Sequence, residues 1–102
     1  MKNFQTYQLA KQLFKATQNL RCPSAEFKDQ THRASLSIVL NLAEGAGKRT
    51  VKDRRRFFHH AMGSLRELQA CLDLMEAEGV IKLADHLGAC LYRLIQNPGQ
   101  FP

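Results

Sequence analysis

The chain has no tryptophan, and its aromatic residues amount to six phenylalanines and two tyrosines. Its three cysteines, Cys22, Cys71 and Cys90, are odd in number and widely spaced. With no Cys-x-x-Cys pair, neither a disulfide framework nor a zinc knuckle is indicated. Cys71 and Cys90 lie in apolar stretches and are expected to act as small core hydrophobes. The longest apolar run, Leu36 to Leu40, is interrupted by Ser37, far short of the ~18 residues of a membrane span. The start, Met-Lys-Asn-Phe-Gln, lacks the apolar centre of a signal peptide, so the expected location is cytoplasmic, with no membrane partner. No window alternates with period two, so no strand is expected. Glu-x-x-His pairs of a di-iron bundle are missing: Gly47 stands three residues after Glu44, and Ala70 three after Glu67. No Gly-rich phosphate loop occurs. No cofactor and no metal are expected.

What is present is helical and basic. The 102 residues make one domain, and 44% hydrophobic content supports a core without staples. Fifteen Lys and Arg against nine Asp and Glu give a net charge of +6. A pI near 9.6 favours polyanionic partners: nucleic acid, an anionic surface or an acidic protein.

Four segments carry a helical period. In the first, about Asn3 to Leu20, residues Phe4, Tyr7, Ala10, Leu13, Phe14, Thr17 and Leu20 line one face. Pro23 breaks it. Ser24 is the N-cap expected for a second helix, with Glu26 in its first turn, running to Ala46. The stretch from Ala34 to Ala43 is apolar on nearly every side. A helix of that kind is covered all round, which points to a homo-oligomer. Gly45 and Gly47 are expected to end it, Gly47 as a left-handed C-cap. Thr50 to Asp53 resembles a capping box opening a third helix. Its apolar stripe is Phe57, Phe58, Ala61, Leu65, Leu68, Leu72 and Met75, it runs to about Glu78, and Gly79 closes it. The fourth helix, about Ile81 to Gln96, buries Ala84, Leu87, Gly88, Leu91, Leu94 and Ile95. Short loops between such helices imply antiparallel neighbours. The expected architecture is an all-α, up-down-up-down four-helix bundle over residues 1–96, with 97–102 a frayed tail.

Lys48, Arg49, Lys52, Arg54, Arg55 and Arg56 fall within nine positions, against Asp53 alone. The guanidinium fork suits phosphate. A helix start ordinarily disfavours cations, so the cluster opposes local stability and marks a candidate nucleic-acid-binding surface. With Phe57 and Phe58 on the core stripe, no aromatic platform for bases is expected, and hence little base specificity. Ser37, Asn41 and Glu44 share one face of the second helix; Ser64 and Glu67 share one on the third. With Arg33 they read as a structural polar network that fixes helix register. Catalysis by Glu44 or Glu67 would need a nucleophile and a cleft that nothing here supplies. Neighbouring His59 and His60 point about 100° apart and cannot share a metal. His60, Ser64 and Glu67 lie on one helix, where side chains do not converge as a triad must. Gly63 sits mid-helix and is expected to admit close approach of the small-residue face of the second helix.

Several of these residues form a more specific pattern. Gln30, Arg33, Ser37-Ile38, Asn41-Leu42-Ala43-Glu44-Gly45 and Gly47 are followed by Phe57, Ala61, Gly63-Ser64 and Glu67-Leu68. From Pro23 to Leu72 the chain resembles the four-helix bundle protein family, also described as 23S rRNA intervening sequence proteins. The resemblance implies an antiparallel bundle assembled into a ring-like homo-oligomer, commonly a pentamer. Some members are encoded inside insertions of large-subunit ribosomal RNA genes. A related group, the accessory variability determinants of diversity-generating retroelements, are basic bundles that bind nucleic acid and a reverse transcriptase. Carried over, Lys48 to Arg56 would be the nucleic-acid surface, and Asn41, Glu44 and Ser64 would be structural. Arg54 departs from the pattern, standing where an aromatic residue is expected.

The expected function is therefore a non-catalytic, oligomeric nucleic-acid-binding protein that favours structured RNA over DNA through phosphate contacts. The alternative is an adaptor whose basic face docks an acidic protein such as a reverse transcriptase. An enzyme built on Glu44 or Glu67 is the third and least favoured reading.

Overall fold

The computed structural model describes Met1 and residues 3–99. Four α-helices hold most of them: α1 (Gln5–Gln18), α2 (Ala25–Ala46), α3 (Val51–Leu74) and α4 (Glu78–Gln96). No strand occurs among the described residues.

Local chemistry sets the helix ends. Ser24 Oγ accepts the Phe27 amide at 3.3 Å and caps α2. Thr50 Oγ1 accepts the Asp53 amide at 3.1 Å and caps α3. Each satisfies an amide that a helix start leaves unpaired. Glu26, in the first turn of α2, has its carboxyl held below the usual 4.5, first by a backbone hydrogen bond and then by the Ser24 hydroxyl.

The end of α3 differs from the sequence expectation. The helix stops at Leu74, not Glu78, and Gly79 lies inside the first turn of α4. The stop is a Schellman motif. The Ala77 amide bonds Leu72 O and the Glu76 amide bonds Asp73 O, both at 3.1 Å. Glu76 takes the left-handed position (φ 55°) that glycine usually fills. Gly47 does the reverse: at φ −84° it caps α2 in the right-handed region, so the left-handed cap expected there does not form.

The buried stripes follow the helical period. Phe58, Leu13, Ile38, Leu42, Leu65, Leu68, Leu72, Leu87, Leu91 and Leu94 are all but fully enclosed. Tyr7, Phe14, Leu20, Phe57, Met75 and Gly88, expected in the core, are half-buried at its margin. Each helix packs on two others, in the cycle α1–α2–α3–α4–α1, with no diagonal contact among the described residues. Thr17 Oγ1 donates to Ser35 Oγ at 3.2 Å between α1 and α2. Ser37 and Ser64 join α2 to α3, and Gln69 Nε2 donates to Asp85 at 3.1 Å between α3 and α4.

Gly45 governs how closely α2 and α3 approach. A Cβ there would lie 2.6 Å from Phe58 Cε1 and 3.1 Å from Phe57 Cβ. Gly63, expected to provide that approach, has nothing within 4 Å of the equivalent point and faces solvent. The all-round apolar stretch of α2 is not covered within one chain. Leu40 is 57% exposed, and Leu36, Val39 and Ala43 are half-buried. Of the segment expected to fray, Pro98 is buried, and residues 100–102 lie outside the described residues.

Candidate nucleic-acid interface

The short turn between α2 and α3 brings one end of each helix together, and all six clustered cations sit there. They do different work. Lys48 Nζ pairs with Glu44 Oε2 at 3.3 Å, one turn back on α2. Lys48 O accepts Arg54 Nε at 2.8 Å, which fastens the turn to the first turns of α3. Arg55 Nε donates to Ile95 O at 3.0 Å. That bond sets a cation against the carbonyl end of α4, where the helix dipole is negative. Cations that oppose the dipole of α3 are thus partly compensated by carbonyl groups of the turn and of α4. Arg49, Lys52 and Arg56 are exposed.

Phe57 lies among them, half-buried, with Arg56 Cζ 4.5 Å and Lys48 Nζ 5.1 Å from its ring centroid. His60 meets the ring edge-on at 5.9 Å. Exposed cation–π contacts of this kind contribute about 0.5–1 kcal/mol each. The core expectation therefore holds for Phe58 and not for Phe57. Neighbours on one helix point about 100° apart, so with Phe58 turned into the core, Phe57 falls at its edge.

Of the six residues read as one polar network, three come together. Ser37 Oγ and Ser64 Oγ share a hydrogen bond of 2.7 Å. Asn41 Nδ2 donates to Ser37 Oγ at 3.1 Å and to Ser37 O at 2.9 Å. Glu44 belongs instead with Lys48. Arg33 and Glu67 are exposed and, with Gln30, border a cavity of about 280 Å³ over Ser37 and Ser64. Ser64 is partnered by Ser37 across the helix pair, and His60 is turned to Phe57.

The remaining titratable groups are scattered. Among the described residues no three His, Cys, Asp or Glu side chains gather as a metal site would need. Cys22, Cys71 and Cys90 are free and half-buried, at the margin of the core and not within it. Burial pushes the Cys71 thiol up, and the charges of Glu67 and Cys22 add to it; a thiol so placed stays protonated and is a poor nucleophile. No described helix is long and apolar enough to cross a membrane.

Comparison with known families extends the sequence resemblance. The family model described as 23S rRNA-intervening sequence protein matches residues 3–95. The chain belongs to this family. The match runs from just before α1 almost to the end of α4, well beyond the segment from Pro23 to Leu72 that carries the quoted motifs. No curated protein sequence matches the chain. In this 23S rRNA-intervening sequence family member, the quoted Ser37, Asn41 and Ser64 form the α2–α3 seam, and Gly45 admits Phe58. Arg54 turns its guanidinium back onto the Lys48 carbonyl.

Proposed function

We propose that the chain is a non-catalytic, basic nucleic-acid-binding protein that favours structured RNA through phosphate contacts. The observation that carries the reading is the α2–α3 turn, where Arg49, Lys52 and Arg56 are exposed beside cations already held by carbonyl groups. Such a surface neutralises phosphates and releases counterions with little base readout. The family's description links its members to 23S rRNA, which favours RNA as the polyanion.

The bundle runs up-down-up-down. Support comes from the pairings: Ser37 with Ser64 and Gly45 with Phe58 run in opposite senses along α2 and α3, as do Arg55 with Ile95 and Gln69 with Asp85 along α3 and α4. The chain assembles into a ring-like homo-oligomer, a pentamer by family likeness, which covers Leu40 and its neighbours and multiplies the basic surface.

The test is fluorescence anisotropy of a labelled structured RNA and of duplex DNA. Wild type is compared with a variant carrying Arg49→Glu, Lys52→Glu and Arg56→Glu, which spares the two arginines bonded to backbone carbonyls. Light scattering checks that both have the same mass. Binding that favours RNA, weakens with salt and is lost in the variant supports the proposal. No binding by folded wild type at low salt overturns it and leaves docking of an acidic protein, such as a reverse transcriptase, as the surviving reading.

A further inference from the structure

Phe57 does not sit where a core phenylalanine would. Its root is fixed, because Phe57 Cβ lies 3.1 Å from the point where a Gly45 Cβ would stand, against the backbone of α2. Its ring is half-buried, and its neighbours there are Lys48, Arg56 and His60. The side chain is held at its base and has Lys48 and Arg56 over its ring, in the middle of the basic surface.

We infer that Phe57 is a stacking platform for one unpaired base, so that the surface selects RNA presenting a bulged or looped nucleotide over continuous duplex. The inference rests on the nucleic-acid reading given above. Stacking of a base on an aromatic side chain is sequence-tolerant and strengthens binding by roughly 5- to 150-fold per base. That exceeds what a solvated cation gains over the same ring, so the base displaces it. Lys48 and Arg56 then lie beside the ring, where the phosphates flanking the stacked base pass. A paired base within a duplex is already stacked on its neighbours and cannot reach the ring. The expected selectivity is for unpaired structure and not for base identity.

The experiment uses two RNA hairpins of equal charge, one fully paired in its stem and closed by a non-nucleotide linker, the other with one bulged 2-aminopurine. Both are titrated by anisotropy against wild type, Phe57→Leu and Phe57→Trp. The chain has no native tryptophan, so Phe57→Trp places its single tryptophan at the platform. Wild type is expected to bind the bulged RNA at least 5-fold tighter and to quench the 2-aminopurine. Phe57→Leu loses the preference and binds both RNAs as wild type binds the paired one, with an unchanged salt slope. In Phe57→Trp the preference remains, and tryptophan emission falls only with the bulged RNA. Equal wild-type affinity for the two RNAs overturns the stacking inference and leaves the phosphate-binding reading intact. So does a Phe57→Trp emission that ignores the bulge, a readout that holds even if Phe57→Leu does not fold. Binding of neither RNA overturns both.

Discussion

Gly45→Ala is the substitution for which the structure gives the sharpest expectation, because two effects of known sign oppose each other. In a helix, alanine is favoured over glycine by about 0.5–1 kcal/mol. Space decides against it here. The added methyl would stand 2.6 Å from Phe58 Cε1 and 2.9 Å from Phe58 Cδ1, whereas carbon atoms rest at about 3.5–4.0 Å. Phe58 is fully buried, with the Phe4 ring centroid 6.3 Å from its own, so its ring has no free side to swing toward. Relief requires α2 and α3 to part by about 1 Å, and overpacking of this kind costs about 1–3 kcal/mol. A contact this short puts the cost in the upper part of that range, about 2–3 kcal/mol, so after the propensity gain the net loss is about 1–2.5 kcal/mol, or a fall in Tm of roughly 4–20 °C for a domain of this size. Gly63→Ala is the matched control. Its Cβ meets nothing within 4 Å, so the propensity gain stands alone and Tm should rise by about 2–8 °C. Both are read from thermal melts followed by circular dichroism at equal protein concentration. A Gly45→Ala protein as stable as wild type, or a Gly63→Ala protein less stable than wild type, would refute the assignment of the close contact to Gly45.

Three further outcomes follow from the same geometry. Glu76→Gly should raise stability by about 0.5–1 kcal/mol, because the left-handed conformation at the end of α3 strains any residue with a Cβ; an unchanged or lower denaturant midpoint contradicts it. Ser37→Ala should cost about 1–3 kcal/mol by leaving Ser64 Oγ without its partner, and Ser37→Ala with Ser64→Ala should cost less than the sum of the two singles; simple additivity in chemical denaturation contradicts a direct bond. The depressed Glu26 carboxyl contributes stability that is fully present above 4.5 and is lost as the pH falls through its lower folded-state value. Wild type should therefore lose its advantage over Glu26→Gln below pH 4.5, and a stability difference that stays constant on acidification contradicts this.

The helices and most of the core could be read from the sequence because burial repeats with the helical period, and Ser24 and Thr50 cap α2 and α3 where their positions suggest. The end of α3 could not. Gly79 is the residue a sequence reading chooses as a stop, whereas hydrogen bonds from Glu76 and Ala77 close the helix earlier and leave the strain on Glu76. The glycines misled for a related reason. Glycine marks either a turn or a close approach, and only the position of Phe58 shows that Gly45 is the close approach while Gly63 faces solvent. At the candidate surface the six cations were legible as composition. The division of labour among them was not, since the Arg55–Ile95 bond spans 40 residues of sequence. Periodicity alone assigns Phe57 to the core; its position one residue before Phe58, on a helix with a single buried stripe, is the signal that places it at the margin.

The salt dependence of RNA affinity tests the proposed phosphate binding by the α2–α3 turn. The logarithm of the binding constant should fall linearly with the logarithm of salt concentration, by about 0.7–0.9 for each phosphate neutralised. Replacing Arg49, Lys52 and Arg56 by glutamine should make that slope shallower by about 2–3 per bound protomer, while thermal stability stays close to wild type. A slope that is the same with and without these three charges would contradict phosphate binding at this turn.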